Sequence, residues 1–91
     1  MDKYIEAIKL IVEEQEKIVG RAISDEIKKT VKEVHFEGET ISIPGDPKEG
    51  LAILVDQYAT LFGNASVEVS RKAIDKMGTS FSTSELPENL K

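Results

Sequence analysis

The sequence predicts an α+β domain in the order α-β-β-α, with two long amphipathic helices flanking a short β-hairpin. Three observations point there. Apolar residues recur at three- and four-residue steps over residues 2–34 and again over 47–77, and between them two short stretches alternate apolar and polar residues about a glycine. The chain has 91 residues, 40% of them hydrophobic and 32% charged, which suits one small domain with a single core rather than two domains or a disordered chain.

The first helix carries Tyr4, Ile8, Ile11, Ile18, Ala22, Ile23, Ile27, Val31 and Val34 on its stripe, with Glu and Lys filling the other positions. Glu13 with Lys17, and Asp25 with Lys28 or Lys29, are spaced to pair on the exposed face. Gln15 interrupts the stripe, and Gly20 costs about 1 kcal/mol relative to alanine inside a helix. A bend or a close helix crossing is expected at Gly20.

Val34 and Phe36, then Ile41 and Ile43, alternate with polar residues on either side of Glu37-Gly38, the pattern of a tight hairpin whose glycine supplies a positive φ. Asp46-Pro47-Lys48-Glu49 then opens the second helix. Aspartate is the N-cap, proline takes the first helical position, and Glu49 stands where a capping box requires it.

Within the second helix Phe62-Gly63-Asn64 resembles a stop, yet Leu51, Val55, Tyr58, Phe62, Ala65, Val69, Ala73 and Met77 keep one register across it. One helix over 47–77, kinked at most, is therefore expected. In antiparallel helices Gly20 and Gly63 would meet at one level. Residues 1–78 form the domain on this reading, and 79–91 form a flexible Ser/Thr-rich tail whose large apolar residues are Phe81, Leu86 and Leu90.

A helix of thirty residues is about 45 Å long, while a domain of this size is only about 30 Å across. Unbroken helices would overhang a monomer, so either both break at their glycines or two chains pair as a dimeric helical bundle. The second is the expectation.

Functional classes narrow by chemistry. With no cysteine there is no disulfide framework or thiolate site, and the apolar runs Leu10–Val12 and Leu51–Val55 are too short to cross a membrane. The opening Met1-Asp2-Lys3-Tyr4 lacks the apolar block of a signal peptide, so a cytoplasmic protein is expected. Net charge is −5, against bulk attraction to nucleic acid. Counted by segment, residues 35–50 carry −3 of it, residues 51–78 carry none, and each terminal segment carries −1. A basic partner would meet the hairpin end.

His35, Glu37 and Glu39 are weak candidates for a divalent ion, because the turn interrupts their alternation and charged side chains on a hairpin also guard its edges. Gly45 to Gly50 has the outer glycines of a phosphate loop, but Leu51-Ala52 stands where lysine and a hydroxyl are needed. Glu13, Glu14 and Glu16 lack the helical histidine of a carboxylate-bridged metal centre, and no serine sits in a nucleophile elbow. The chain is expected not to be an enzyme, and no cofactor is expected. Ser80, Ser82 and Ser84 beside Glu85 could accept phosphate, and Asn64-Ala65-Ser66 matches a glycosylation pattern that a cytoplasmic helix would not use.

The function expected is a non-enzymatic interaction or regulatory module acting as a homodimer, with Phe81, Leu86, Leu90, Glu37 and Glu39 meeting a protein partner. A second reading is a small-molecule sensor whose ligand lies between helices, lined by Gln15, Tyr58 and Phe62. A third is a DNA-binding regulator using Arg71, Lys72 and Lys76, against which the neutral charge of residues 51–78 counts. Few Asn and Gln beside many Lys, Glu and Ile suggest a thermophilic source.

Overall fold

In the computed structural model, which describes residues 3–38, 40–77 and 81–90, each expected long helix is a pair of shorter ones. The order is α1 (Lys3–Val19), α2 (Arg21–Thr30), β1 (His35–Glu37), β2 (Thr40–Ser42), α3 (Pro47–Phe62) and α4 (Asn64–Asp75), followed by single 3₁₀ turns at Thr83–Glu85 and Glu88–Leu90. The α+β class and the hairpin stand. The single helix over 47–77 does not.

Backbone geometry explains both breaks. Gly20 has φ 89° and ψ 163°, and Gly63 has φ 77° and ψ −165°, a region in which any Cβ would be strained and which is populated almost only by glycine. Each glycine turns the chain with one residue. The helical bonds run up to the turn, with the Gly20 amide donating to Glu16 O at 2.9 Å and the Gly63 amide to Ala59 O at 2.7 Å. The apolar periodicity of the sequence runs across Gly63 without an unbroken helix, because past the elbow the buried positions move from Ala65 and Val69 to Ser66 and Ser70.

The elbows also remove the overhang. The chain has a radius of gyration of 11.8 Å and extents of 32 × 27 × 19 Å, so helix length no longer argues for pairing.

The two glycines stand at one end of the molecule. Ser24, four residues past Gly20, shares a 3.2 Å hydrogen bond with the Tyr58 hydroxyl, five residues before Gly63. The Gln15 amide, five before Gly20, donates to Ser66 O at 2.8 Å, three after Gly63. They do not make a close crossing, however, since nothing lies within 4 Å of a Cβ built on either.

The core joins Ile8, Ile11 and Val12 of α1, Ile27 of α2, Leu51, Leu54, Val55 and Tyr58 of α3, and Ala73 and Ile74 of α4. Val31 and Val34, expected on a helix, are buried in the connection that follows α2. The hairpin pairs His35 with Ser42, Phe36 with Ile41 and Glu37 with Thr40, turning at Gly38 with φ 60°. Its Phe36 and Ile41 pack against the core, and its outer residues are exposed.

At the start of α3 the Asp46 carboxylate accepts from the Lys48 amide at 3.0 Å and Pro47 takes the first turn, as expected of this cap. Gly50 has a packing reason as well: a Cβ there would stand 3.1 Å from Ile43 Cγ2, where the first turn of α3 abuts the hairpin.

Residues 81–90 lie on the domain. Leu90 is buried, Phe81 and Leu86 are half-buried against the core, and the Phe81 ring meets Tyr4 edge-on with centroids 5.1 Å apart. The segment is tied by Tyr4 Oη donating to Glu85 O at 2.8 Å, Lys48 Nζ to Ser84 O at 2.8 Å and Asn89 Nδ2 to Ala52 O at 2.9 Å.

Candidate interaction surface

A small acidic domain is expected to put its large apolar side chains inside and to spread charge over its outside. At the elbow end this chain does the reverse. Ile18 is 66% exposed, Leu61 56%, Ile23 43% and Phe62 40%, and all four lie within three residues of Gly20 or Gly63. Ala22 and Ala65 beside them are exposed too. The sequence stripes assign all of these except Leu61 to a buried face.

The residues that take their place inside are polar. Past Gly20, α2 buries Ser24, and past Gly63, α4 buries Ser66 and Ser70 where the register points to Ala65 and Val69. Each elbow re-aims the helix that follows it, so a neighbouring position on the helix surface faces the core. Buried hydroxyls need partners, and they have them. Gln15 Nε2 donates to Ser66 O at 2.8 Å and to Ser70 Oγ at 3.2 Å, Ser70 Oγ donates to Ser66 O at 3.0 Å, and Ser66 Oγ donates to Gly63 O at 2.8 Å. Gln15, an apparent flaw in the α1 stripe, is the residue that receives α4.

Charge is also missing around Gly63, though not around Gly20, where Lys17 and Arg21 are exposed. From Gln57 to Val67 there is no charged residue, in a chain that is 32% charged, and Thr60 to Ala65 within that run are all exposed. Loss of charge together with gain of large apolar groups is the compositional mark of an interface core.

The sequence-derived candidates lie elsewhere or are already engaged. Gln15 and Tyr58 are in the core with the Gln15 amide and the Tyr58 hydroxyl used within the fold, while Phe62 is on the surface, so the three do not line one cavity. Burial pushes the Tyr58 hydroxyl above the ordinary tyrosine value, the Ser24 bond opposing it. A cleft of about 160 Å³ does open between α1, α2 and the hairpin, over Val12, Phe36 and Ile41 with Lys9 and Lys28 at its edge.

His35 and Glu37 are exposed on β1, and Glu39 lies outside the described residues. Among the described residues no three His, Asp or Glu side chains gather to hold a metal ion. Of the candidate phosphate acceptors, Ser82 and Ser84 are exposed and Ser80 lies outside the described residues. Arg71 and Lys76 pair with Glu68 and Glu14, the first at 2.8 Å. No helix is long and apolar enough to cross a membrane among the described residues.

Sequence reasoning singled out Phe62 but for a cavity, and missed Ile18, Ile23 and Leu61 as a surface. The signal that could have found Leu61 is the charge-free run around Gly63; Ile18 and Ile23, with Lys17 and Arg21 beside them, carry no such signal. Comparison with family models, curated proteins and solved structures found no match to this chain.

Proposed function

We propose that the protein is a non-enzymatic interaction module that acts by self-association through its elbow end. The observation that carries this reading is the exposure of Leu61 and Phe62 within an uncharged exposed run, with Ile18 and Ile23 exposed about the other elbow. A self-docking surface must be complementary to itself. The uncharged run around Gly63 meets that condition, whereas the hairpin end, residues 35–50, which holds −3 of the net −5, brings like charges together. Exposed apolar area of this kind, several hundred Å² on ordinary monomers when it is functional, is a reason to look for an occupant. The hairpin, with its share of the negative charge, remains the place for a basic protein partner of the assembled dimer.

The Leu61→Glu/Phe62→Glu double variant tests the reading. Both side chains are on the surface, so helicity should hold while light scattering over a concentration series falls from dimer to monomer. A wild-type chain that is monomeric throughout that series removes the proposal.

A further inference from the structure

Self-association at the elbow end leaves open how two chains meet there, and the geometry of Gly63 points to one way. We propose that two copies exchange α4: the Gly63 elbow opens, α3 and α4 join into one helix, and each α4 packs on the partner's α1. This rests on the self-association reading and specifies the form it takes.

The apolar register from Leu51 through Val55, Tyr58, Phe62, Ala65 and Val69 to Met77 is continuous across Gly63, and the closed chain leaves Phe62 and Ala65 of that register in water. A straight helix with a second copy beside the elbow gives them a face to cover. Only one residue separates the two states. The Gly63 amide already donates helically to Ala59 O, so moving Gly63 from φ 77° to helical values is enough to continue the helix. Every contact of α4 with α1 is restored between chains: the Gln15 amide on Ser66 and Ser70, and the Glu14–Lys76 ion pair. The exchanged form thus keeps the buried polar partners that α1 gives α4 and gains a contact at the crossing, while the Ser66 hydroxyl exchanges its bond to Gly63 O for a carbonyl of the continued helix. Short hinges of this sort are the usual sites of exchange between protomers.

Gly20 does not serve in the same way. Arg21 Nε lies 3.3 Å from Glu16 Oε1 across that elbow, and Lys17 adds charge beside it, whereas no charged residue occurs between Asp56 and Glu68 around Gly63. A straight crossing centred on Gly63 brings uncharged chain against uncharged chain.

The absence of cysteine makes a direct test possible. In a Glu14→Cys/Lys76→Cys variant, whose two positions form an ion pair in the closed chain, a short bis-maleimide joins α1 to α4. Dimer and monomer fractions are separated, treated and run on a denaturing gel. Exchange predicts dimer-mass product from the dimer fraction and internal product from the monomer. Internal product alone from the dimer fraction overturns exchange and leaves self-association intact. Gly63→Ala, which is strained in the closed elbow and at home in a helix, should lower the dimer dissociation constant at least tenfold, and an unchanged or raised constant counts against exchange. If no dimer of either the wild type or Gly63→Ala forms at any concentration, both readings fall, and the Leu61→Glu/Phe62→Glu comparison is then without a starting dimer.

Discussion

Gly20 shows how one residue's backbone decides between opposite expectations. In a helix interior, glycine to alanine stabilises by about 1 kcal/mol because the helix gains propensity. At φ 89° and ψ 163° a Cβ is strained although the space around it is open. Gly20→Ala should therefore lower stability by about 1–3 kcal/mol, which in a domain of this size is a fall of roughly 4–8 °C in melting temperature for each kcal/mol. A calorimetric melt that rises instead means that α1 and α2 are one helix. Stripe counting could not separate these cases, because it weighs side chains and the elbow is a dihedral. Gln15 was visible as a polar residue on an apolar stripe, but its partners are serines fifty residues away in sequence, and only the fold brings them to it.

At the scale of elements, local signals were the most legible. The Asp46-Pro47 start of α3 and the Gly38 turn each depend on a few adjacent residues, and both form as their chemistry requires. The C-terminal segment depends on distant ones. Composition reads it as a tail, while its attachment is made by Lys3, Tyr4, Lys48 and Ala52, none of them near it in sequence. Glu85 is the centre of that attachment. Its carboxylate accepts from Lys3 and from the Ser82 amide and hydroxyl, and these hold it down to about 2, the lysine bond contributing most. Because the folded value lies below the ordinary 4.5, the contribution is complete above pH 4.5 and is lost as pH falls through about 2. In hydrogen exchange, the Ser82 and Leu90 amides of the wild type should keep their protection at pH 4. Glu85→Gln should lose it at every pH while the α1 and α3 amides stay protected. Equal protection in the variant means that Phe81 and Leu90 hold the segment without the carboxylate.

For the whole molecule, the balance between a neutral contact surface and a charged remainder sets how association responds to solution conditions. The net charge of −5 belongs to parts of the chain outside residues 51–78, with the hairpin and the α3 cap holding most of it. Two copies meeting around Gly63 therefore attract through apolar burial and repel through charges carried farther off. Added salt shortens the Debye length from about 30 Å at 0.01 M to about 8 Å at 0.15 M, removing most of a repulsion that acts across distances of this order. Apolar burial is left in place. The dimer should tighten as salt rises, and tighten again as pH is lowered toward the isoelectric point near 4.9, where the net charge vanishes. A dimer held by ion pairs between acidic and basic faces behaves oppositely, weakening with salt. Sedimentation equilibrium at 0.01 and 0.15 M sodium chloride separates the two. A dissociation constant that increases with salt places the contact on charged surface, away from Leu61 and Phe62, and a constant that decreases places it where the chain carries no charge.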